Sequence, residues 1–257
     1  MIKNLSQILI TKEPEDIPPL IQGAIKTVRN VFSDCSYTLY DNEKIINLIK
    51  NNIGEEALKA YKKINPYANK ASFARYCIIF LKGGWYVDLS IKMSSQMIGQ
   101  KIHIPNEIDF LGFKDFGDGF IPTSLNYSIQ NSIFYSKPNN KILEKAIEIV
   151  IENCKKENFG VSPICTTGPG VLGRAYASIG AKNTHSLGMF MPLTPYHQNM
   201  NRSYILPDGT IFALHKNAWM QGIQPGDISA FGFKKSNNYI KIWKERDGYY
   251  DKSITMD

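Results

Sequence analysis

The run Gly83-Gly84-Trp85-Tyr86-Val87-Asp88-Leu89-Ser90 sets a carboxylate, and a hydroxyl two residues on, directly after a short apolar strand. Alternate residues of a strand share a face, so both oxygen-bearing side chains point one way if the strand continues past Asp88. Hard oxygen ligands suit Mg²⁺ or Mn²⁺, which complete their shells with phosphate oxygens and water. Such a cation can sit where a diphosphate is bound and released. The competing reading is an aspartate that is structural or merely solvated, the commoner fate of an acid at a strand end. Arg75, thirteen positions earlier, has a planar fork that can bind phosphate bidentately. His215, near Trp219, offers a neutral imidazole to a metal.

These residues need elements to position them. Asn69 to Lys82 forms the clearest helix, with Ser72 or Asn69 as cap and Phe73, Cys77, Phe80 and Leu81 on one apolar stripe; Gly83-Gly84 ends it. Upstream, Ile8-Leu9-Ile10 reads as a first strand ending at Thr11, followed by a helix from about Leu20 to Val31. Ser36 to Tyr40 is a second strand, with a capped helix starting at Asp41-Asn42. This βαβα opening predicts an α/β fold with a Rossmann-like, mainly parallel sheet flanked by helices and a site at the carboxyl ends of its strands. Downstream, helices are expected from about Asn140 to Asn153 and Val171 to Ser178. Arg202 to Ala218 reads as a hairpin turning at Pro207-Asp208-Gly209.

The 257 residues, 43% hydrophobic, suffice for one large α/β domain. We read residues 1–257 as one domain, with 1–100 binding a donor and 101–257 binding an acceptor and closing over the site. The longest apolar runs fall far short of the roughly 20 residues that span a bilayer, and no signal-peptide layout opens the chain. A cytoplasmic location is expected. Cys35, Cys77, Cys154 and Cys165 are widely spaced and read as reduced and structural. The net charge of +7 suits a polyanionic or phosphate-bearing partner. Lys234, Lys235, Lys241, Lys244 and Arg246 cluster with Phe233, Tyr239 and Trp243 near the C-terminus. That pattern occurs on anionic membrane surfaces and on single-strand nucleic-acid binders; the plainer reading, a solvated basic face with aromatics packed inward, is favoured.

The run Ala71-Ser72-Phe73-Ala74-Arg75-Tyr76 through Gly83 to Ser90 resembles the helix, double glycine and DXD strand of the DXD sugar-binding glycosyltransferases of family 32. Weaker matches are Gln7-Ile8, Tyr37 to Asp41, Asn131-Ser132, Thr167-Gly168-Pro169-Gly170, and His215 with Trp219. The resemblance implies a GT-A fold, a UDP- or GDP-sugar donor, transfer with retention and commonly Mn²⁺ or Mg²⁺. By position it assigns catalysis to Asp88 and Arg75. Donor contacts fall to Ile10, Thr11, Tyr37, Ser72, Arg75, Asp88, Ser90, His215 and Trp219, and metal contacts to Asp88, Ser90 and His215. Acceptor contacts fall to Asn131, Thr167, Gly168 and Gly170, with Asp118 of the Gly-rich loop beside them. Two positions depart from the pattern. Ser72 stands where the family has an acid, and Ser90 replaces the second Asp of DXD, so metal dependence and donor identity are open.

Other motifs fail on context. Gly168 to Gly173 spells GxGxxG, but Pro169 sits inside it and no strand precedes it. No Walker A, HExxH or GxSxG occurs, and His103, His185 and His197 lack metal-ligand spacing. The sequence therefore reads as a nucleotide-sugar-dependent glycosyltransferase acting on a glycan or lipid-linked oligosaccharide during bacterial surface polysaccharide synthesis, with peripheral contact to the anionic inner face of the membrane and no nucleic-acid partner. A toxin-like protein glycosyltransferase, and a non-catalytic sugar- or nucleic-acid-binding relative, are the alternatives.

Overall fold

A computed structural model describes residues 2–11, 16–115, 128–193, 202–220, 232–233 and 238–250. Asp118, His197, Lys234 and Lys235 lie outside them. The first strand, β1, is Asn4–Ile8, earlier than the Ile8-Leu9-Ile10 run suggests. Its Ser6 and Gln7 are buried, polar residues accepted inside the sheet because β1 is paired on both sides. The next elements are α1 (Pro19–Val31), β2 (Ser36–Tyr40), α2 (Asn42–Asn52) and α3 (Glu55–Lys63). The Asp41 side chain caps α2 by accepting the Lys44 N–H, as its place before an apolar run predicts.

Helix α4 (Tyr67–Lys82) starts after Pro66 with no side-chain cap, so neither Asn69 nor Ser72 serves as one. Both lie inside the helix and are buried, along with most of its length. The single apolar stripe read from the sequence is therefore only part of a helix enclosed on nearly all sides. Gly83 ends it at φ 62°, and Gly84 (φ 95°) opens β3 (Gly84–Val87). The remaining elements are β4 (Lys92–Met93), β5 (Phe110–Asp115), β6 (Ile129–Ser136), α5 (Lys141–Lys156), α6 (Pro169–Ile179), β7 (His185–Pro192), β8 (Arg202–Ile205), β9 (Ile211–Leu214), α7 (Lys216–Trp219) and α8 (Tyr239–Lys244). The β8–β9 hairpin turns over Pro207 to Gly209, as predicted.

The described strands form one sheet in the order β2-β1-β3-β6-β5-β7-β8-β9-β4. The α/β class is as expected, and the sheet is mixed. Parallel pairing is confined to β2-β1-β3 and β5-β7, while β6 runs antiparallel to β3 and β5. Two cores cover its faces. On one, α2 to α6 pack against Ile8, Tyr86, Phe110, Ile129 and Phe134; on the other, α1 packs against Leu5, Trp85, Val87 and Tyr135. Trp85 is a core residue, with Phe32, Tyr135 and Phe212 rings at 5.2, 5.7 and 5.3 Å. Tyr86 points the other way, towards α4. Strand alternation then brings Asp88 to the same side. The four cysteines are free, and no described helix is long and apolar enough to cross a membrane.

Candidate functional site

Asp88 leaves the carboxyl end of β3 with its N–H bonded to the Ser132 carbonyl at 2.7 Å. The strand stops at Val87 and the chain turns, with the Ile91 N–H donating to the Asp88 carbonyl at 3.0 Å. Ser90 is thus in a turn, and the strand alternation that would have aligned it with Asp88 does not apply.

The Asp88 side chain is 30% exposed and tightly held. Arg75 Nη2 lies 3.1 Å from Oδ1, Arg75 Nη1 donates to Oδ2 at 3.5 Å, and the Tyr86 hydroxyl donates to Oδ1 at 2.6 Å. The rest of the guanidinium is committed as well. Its Nε donates to the Ala71 carbonyl at 3.2 Å, its Nη1 to the Asn131 carbonyl at 2.6 Å, and its carbon lies 4.5 Å from the centre of the Tyr86 ring. Arg75 is 4% exposed. The sequence assigned its fork to a phosphate; in the structure the fork grips Asp88 instead. Burial pushes the Tyr86 and Tyr76 phenols well above their ordinary range, so both stay neutral hydrogen-bond donors.

Around this pair the donor-side residues partly converge. Tyr37 donates to Gln7 Oε1 at 3.1 Å, and the Gln7 amide donates to the Val87 carbonyl at 3.1 Å, tying β2, β1 and β3 together just below Asp88. Arg29 lies 5.0 Å from the Tyr37 ring centre. Trp219 Nε1 donates to the Ser90 carbonyl at 3.2 Å, and Trp219, Leu89 and Tyr37 pack on one small apolar cluster with Ile21, Ile25 and Phe233. Two half-buried aromatics thus flank the Asp88 turn. Ile10 instead packs on the α4 side of the sheet, and Thr11 is half-buried where the chain leaves it. Ser72 is buried inside α4.

The acceptor-side residues are enclosed. Asn131 and Thr167 are 4% and 1% exposed, and Gly168 and Gly170 are buried against the Ile164 backbone. Gly168 follows a short 3-10 turn and precedes α6, so the GxGxxG letters there follow no strand.

His215 caps α7 by accepting the Asn217 N–H on Nδ1 at 3.4 Å, and its ring meets Phe190 edge-on at 5.4 Å. Burial, with Lys216 and Arg202 adding repulsion, pushes its pKa down to about 3. Burial also lowers His185, whose Nε2 lies 3.5 Å from Asp109 Oδ1. A histidine whose folded pKa is depressed contributes stability that is complete above its unfolded value of about 6.5 and is lost as pH falls below it. The melting temperature should therefore be level from pH 8 to 7 and drop progressively from pH 6.5 towards 4. His215→Asn, which keeps a capping side chain, should flatten that drop, and an unchanged slope would refute the assignment.

A divalent cation has few partners here. The described residues hold no group of three or more His, Cys, Asp or Glu that could bind one. The oxygens at this turn are the Asp88 carboxylate, already shared with Arg75 and Tyr86, and the Ser90 hydroxyl; Asn217 Oδ1, two residues before Trp219, is buried without a hydrogen-bond partner. Such a set fits a hard cation only when a diphosphate brings further oxygens. Asn217 and Tyr76 were given no role from the sequence, and the bond from the Tyr86 hydroxyl to Asp88 was not foreseen. Tyr86 was within reach, because residues two apart on a strand share a face.

The basic aromatic tail turns its rings inward. Trp243 donates to the Phe159 carbonyl at 2.7 Å, and Arg246 covers both rings at 4.8 and 5.0 Å. Lys241 remains outside at 73% exposure. The solvated-face reading therefore fits the described part of this segment.

The gripped carboxylate, flanked by aromatics, lies at the carboxyl edge of the parallel strands, the edge at which open α/β sheets bind their ligands. Residues 18–109 match the model of the glycosyltransferase sugar-binding region containing the DXD motif. An uncharacterized glycosyltransferase of Acanthamoeba polyphaga mimivirus is 29% identical over 144 residues, 56% of this chain and 53% of the relative. The chain thus spans about half the length of the curated relative it matches. Among solved structures, PaToxG glycosyltransferase superposes with a TM-score of 0.49 at 18% identity, covering 69% of each chain. A glycosyltransferase involved in the glycosylation of the major capsid of PBCV-1 does so at 0.38 and 14%, covering 72% of this chain and 82% of that one.

Proposed function

We propose that this protein is a glycosyltransferase of the GT-A type that moves a sugar from a UDP- or GDP-activated donor to a glycan acceptor. The observation that carries the reading is the Arg75–Asp88–Tyr86 cluster at the carboxyl edge of β3, inside the segment that matches the sugar-binding model. Tyr37 and Trp219 flank this edge and offer faces to a nucleobase, while Asp88, held rigid by Arg75, accepts hydroxyls of the ribose or the donor sugar. In the transfer, the bond from the anomeric carbon to the diphosphate breaks, the acceptor oxygen bonds to that carbon, and its proton passes to the departing phosphate. No enzymic nucleophile is needed for this route. A divalent cation held by Asp88 and Ser90, together with oxygens of the donor, would neutralise the leaving diphosphate. Retention, a surface or lipid-linked glycan as acceptor, and a peripheral site on the membrane's inner face rest on the resemblance of the Ala71 to Ser90 run and on the basic charge.

Thermal denaturation with a panel of UDP-, GDP- and CMP-sugars, each with Mn²⁺ and with EDTA, tests the reading. Ligand at about 100 times its Kd stabilises a protein by about 2.7 kcal/mol. One nucleotide class should raise the melting temperature, with a larger rise in Mn²⁺ than in EDTA. No rise from any donor, together with a salt-sensitive shift on single-stranded oligonucleotides, would replace this reading with a nucleic-acid-binding one.

A further inference from the structure

We infer that Tyr76 is a positioning residue for Asp88, fixing it through Asn131 and Arg75 to the first turn of α6; this rests on the donor site proposed above. Arg75 and Tyr76 are neighbours on α4, so their side chains leave the helix about 100° apart. Arg75 reaches the sheet edge and Asp88. Tyr76 reaches α6, where its hydroxyl donates to the Gly168 carbonyl at 3.0 Å and accepts the Asn131 side-chain N–H at 3.0 Å. Asn131 closes the circuit, because its own carbonyl takes Arg75 Nη1 at 2.6 Å. Two hydrogen bonds meet at Asn131, one on its side chain and one on its backbone carbonyl in β6, and together they link Asp88 to Gly168 at the N-cap of α6.

The far end of that link is a fixed point. A Cβ at Gly168 would meet the Ile164 carbonyl at 3.0 Å, so this turn is packed without slack. The Asn153 amide holds the Thr166 carbonyl at 2.9 Å from α5. Tyr76 is fully buried, and its ring packs 6.5 Å from Phe134. Phenylalanine keeps that ring and removes only the hydroxyl. It leaves the Asn131 amide and the Gly168 carbonyl each short of one partner and releases the Asn131 side chain, so that the β6 backbone alone positions the carbonyl that takes Arg75. Displacement of a reacting geometry by about 1 Å is enough to cost on the order of 100-fold.

A double-mutant cycle separates this from a general packing role. Binding of UDP-glucose and GDP-mannose is measured by calorimetry for the native protein, Tyr76→Phe, Asp88→Asn and the pair. Tyr76→Phe should weaken the better-bound donor about 10-fold in the native background and less than about 2-fold beside Asp88→Asn; equal losses in both backgrounds would overturn the inference. If neither donor binds the native protein, the donor site itself fails. The ligand-free side-chain N–H signal of Arg75 in nitrogen-15 NMR, assigned by its loss in Arg75→Lys, then decides on Tyr76 alone. Tyr76→Phe should shift or broaden that signal. A spectrum superimposable on the native one would refute the positioning role.

Discussion

On the proposed function, Asp88→Ala is expected to abolish sugar transfer, by at least about 100-fold, and it should also destabilise the protein, because Asp88 faces the buried cation Arg75. Arg75 is almost wholly enclosed, and Asp88 is the carboxylate that faces it, at 3.1 Å. Removing one partner of a buried pair leaves a charge without compensation, at about 3–5 kcal/mol. The partial exposure of Asp88 puts the cost near the lower end, about 3 kcal/mol. For a chain of this size that lowers the melting temperature by roughly 6–12 °C. The two effects separate in a second variant. Arg75→Met with Asp88→Leu replaces the pair by apolar groups, which should recover much of the lost stability while leaving transfer absent. A single Asp88→Ala variant with native melting temperature and turnover would show that the pair does neither job.

The same pair shows how far the sequence could be read. The α4 helix, the double glycine and the strand before Asp88 were legible because each is a local pattern: an apolar helical run, a glycine stop and a strand of four residues. The role of Arg75 was not. Its fork fits carboxylate and phosphate equally well, and only the fold shows which one lies within reach. Asn131 and Gly168 belong to the site's support through contacts 56 and 92 positions away in sequence, a separation that no spacing rule reports.

The first strand failed for a different reason. Ile8-Leu9-Ile10 is the more apolar run, yet the sheet takes Asn4–Ile8, because parallel pairing on both sides of β1 and the Tyr37–Gln7–Val87 bonds satisfy its polar residues. The mixed character of the sheet was hidden similarly. The βαβα opening specifies parallel order for β2-β1-β3, whereas β6 joins β3 after a long intervening stretch whose direction the opening does not constrain.

Gly84→Ala is expected to be among the most damaging small substitutions outside the Asp88 cluster. Gly84 adopts φ 95°, a conformation that a side chain disfavours by roughly 1–2 kcal/mol. The larger cost is contact. An added Cβ would collide with the Asn4 carbonyl oxygen and lie 2.8 Å from the Asn4 Cβ, and the oxygen belongs to the backbone of β1, which cannot rotate away. Relief requires β1 and β3 to separate next to the Leu5–Trp85 pairing, which pulls the Gln7 amide from the Val87 carbonyl and moves the base of the Asp88 turn. We expect a loss above about 4 kcal/mol, in the range reserved for strain and overpacking in a core. Gly209→Ala supplies the comparison. It has nearly the same φ, 88°, in the β8–β9 turn, but nothing lies within 4 Å of its added Cβ, so only the conformational cost remains. Chemical denaturation of the two variants should therefore place Gly84→Ala several kcal/mol below Gly209→Ala. Equal stabilities would mean that β1 and β3 can part without consequence, and that the close crossing at Gly84 does not fix the position of Asp88.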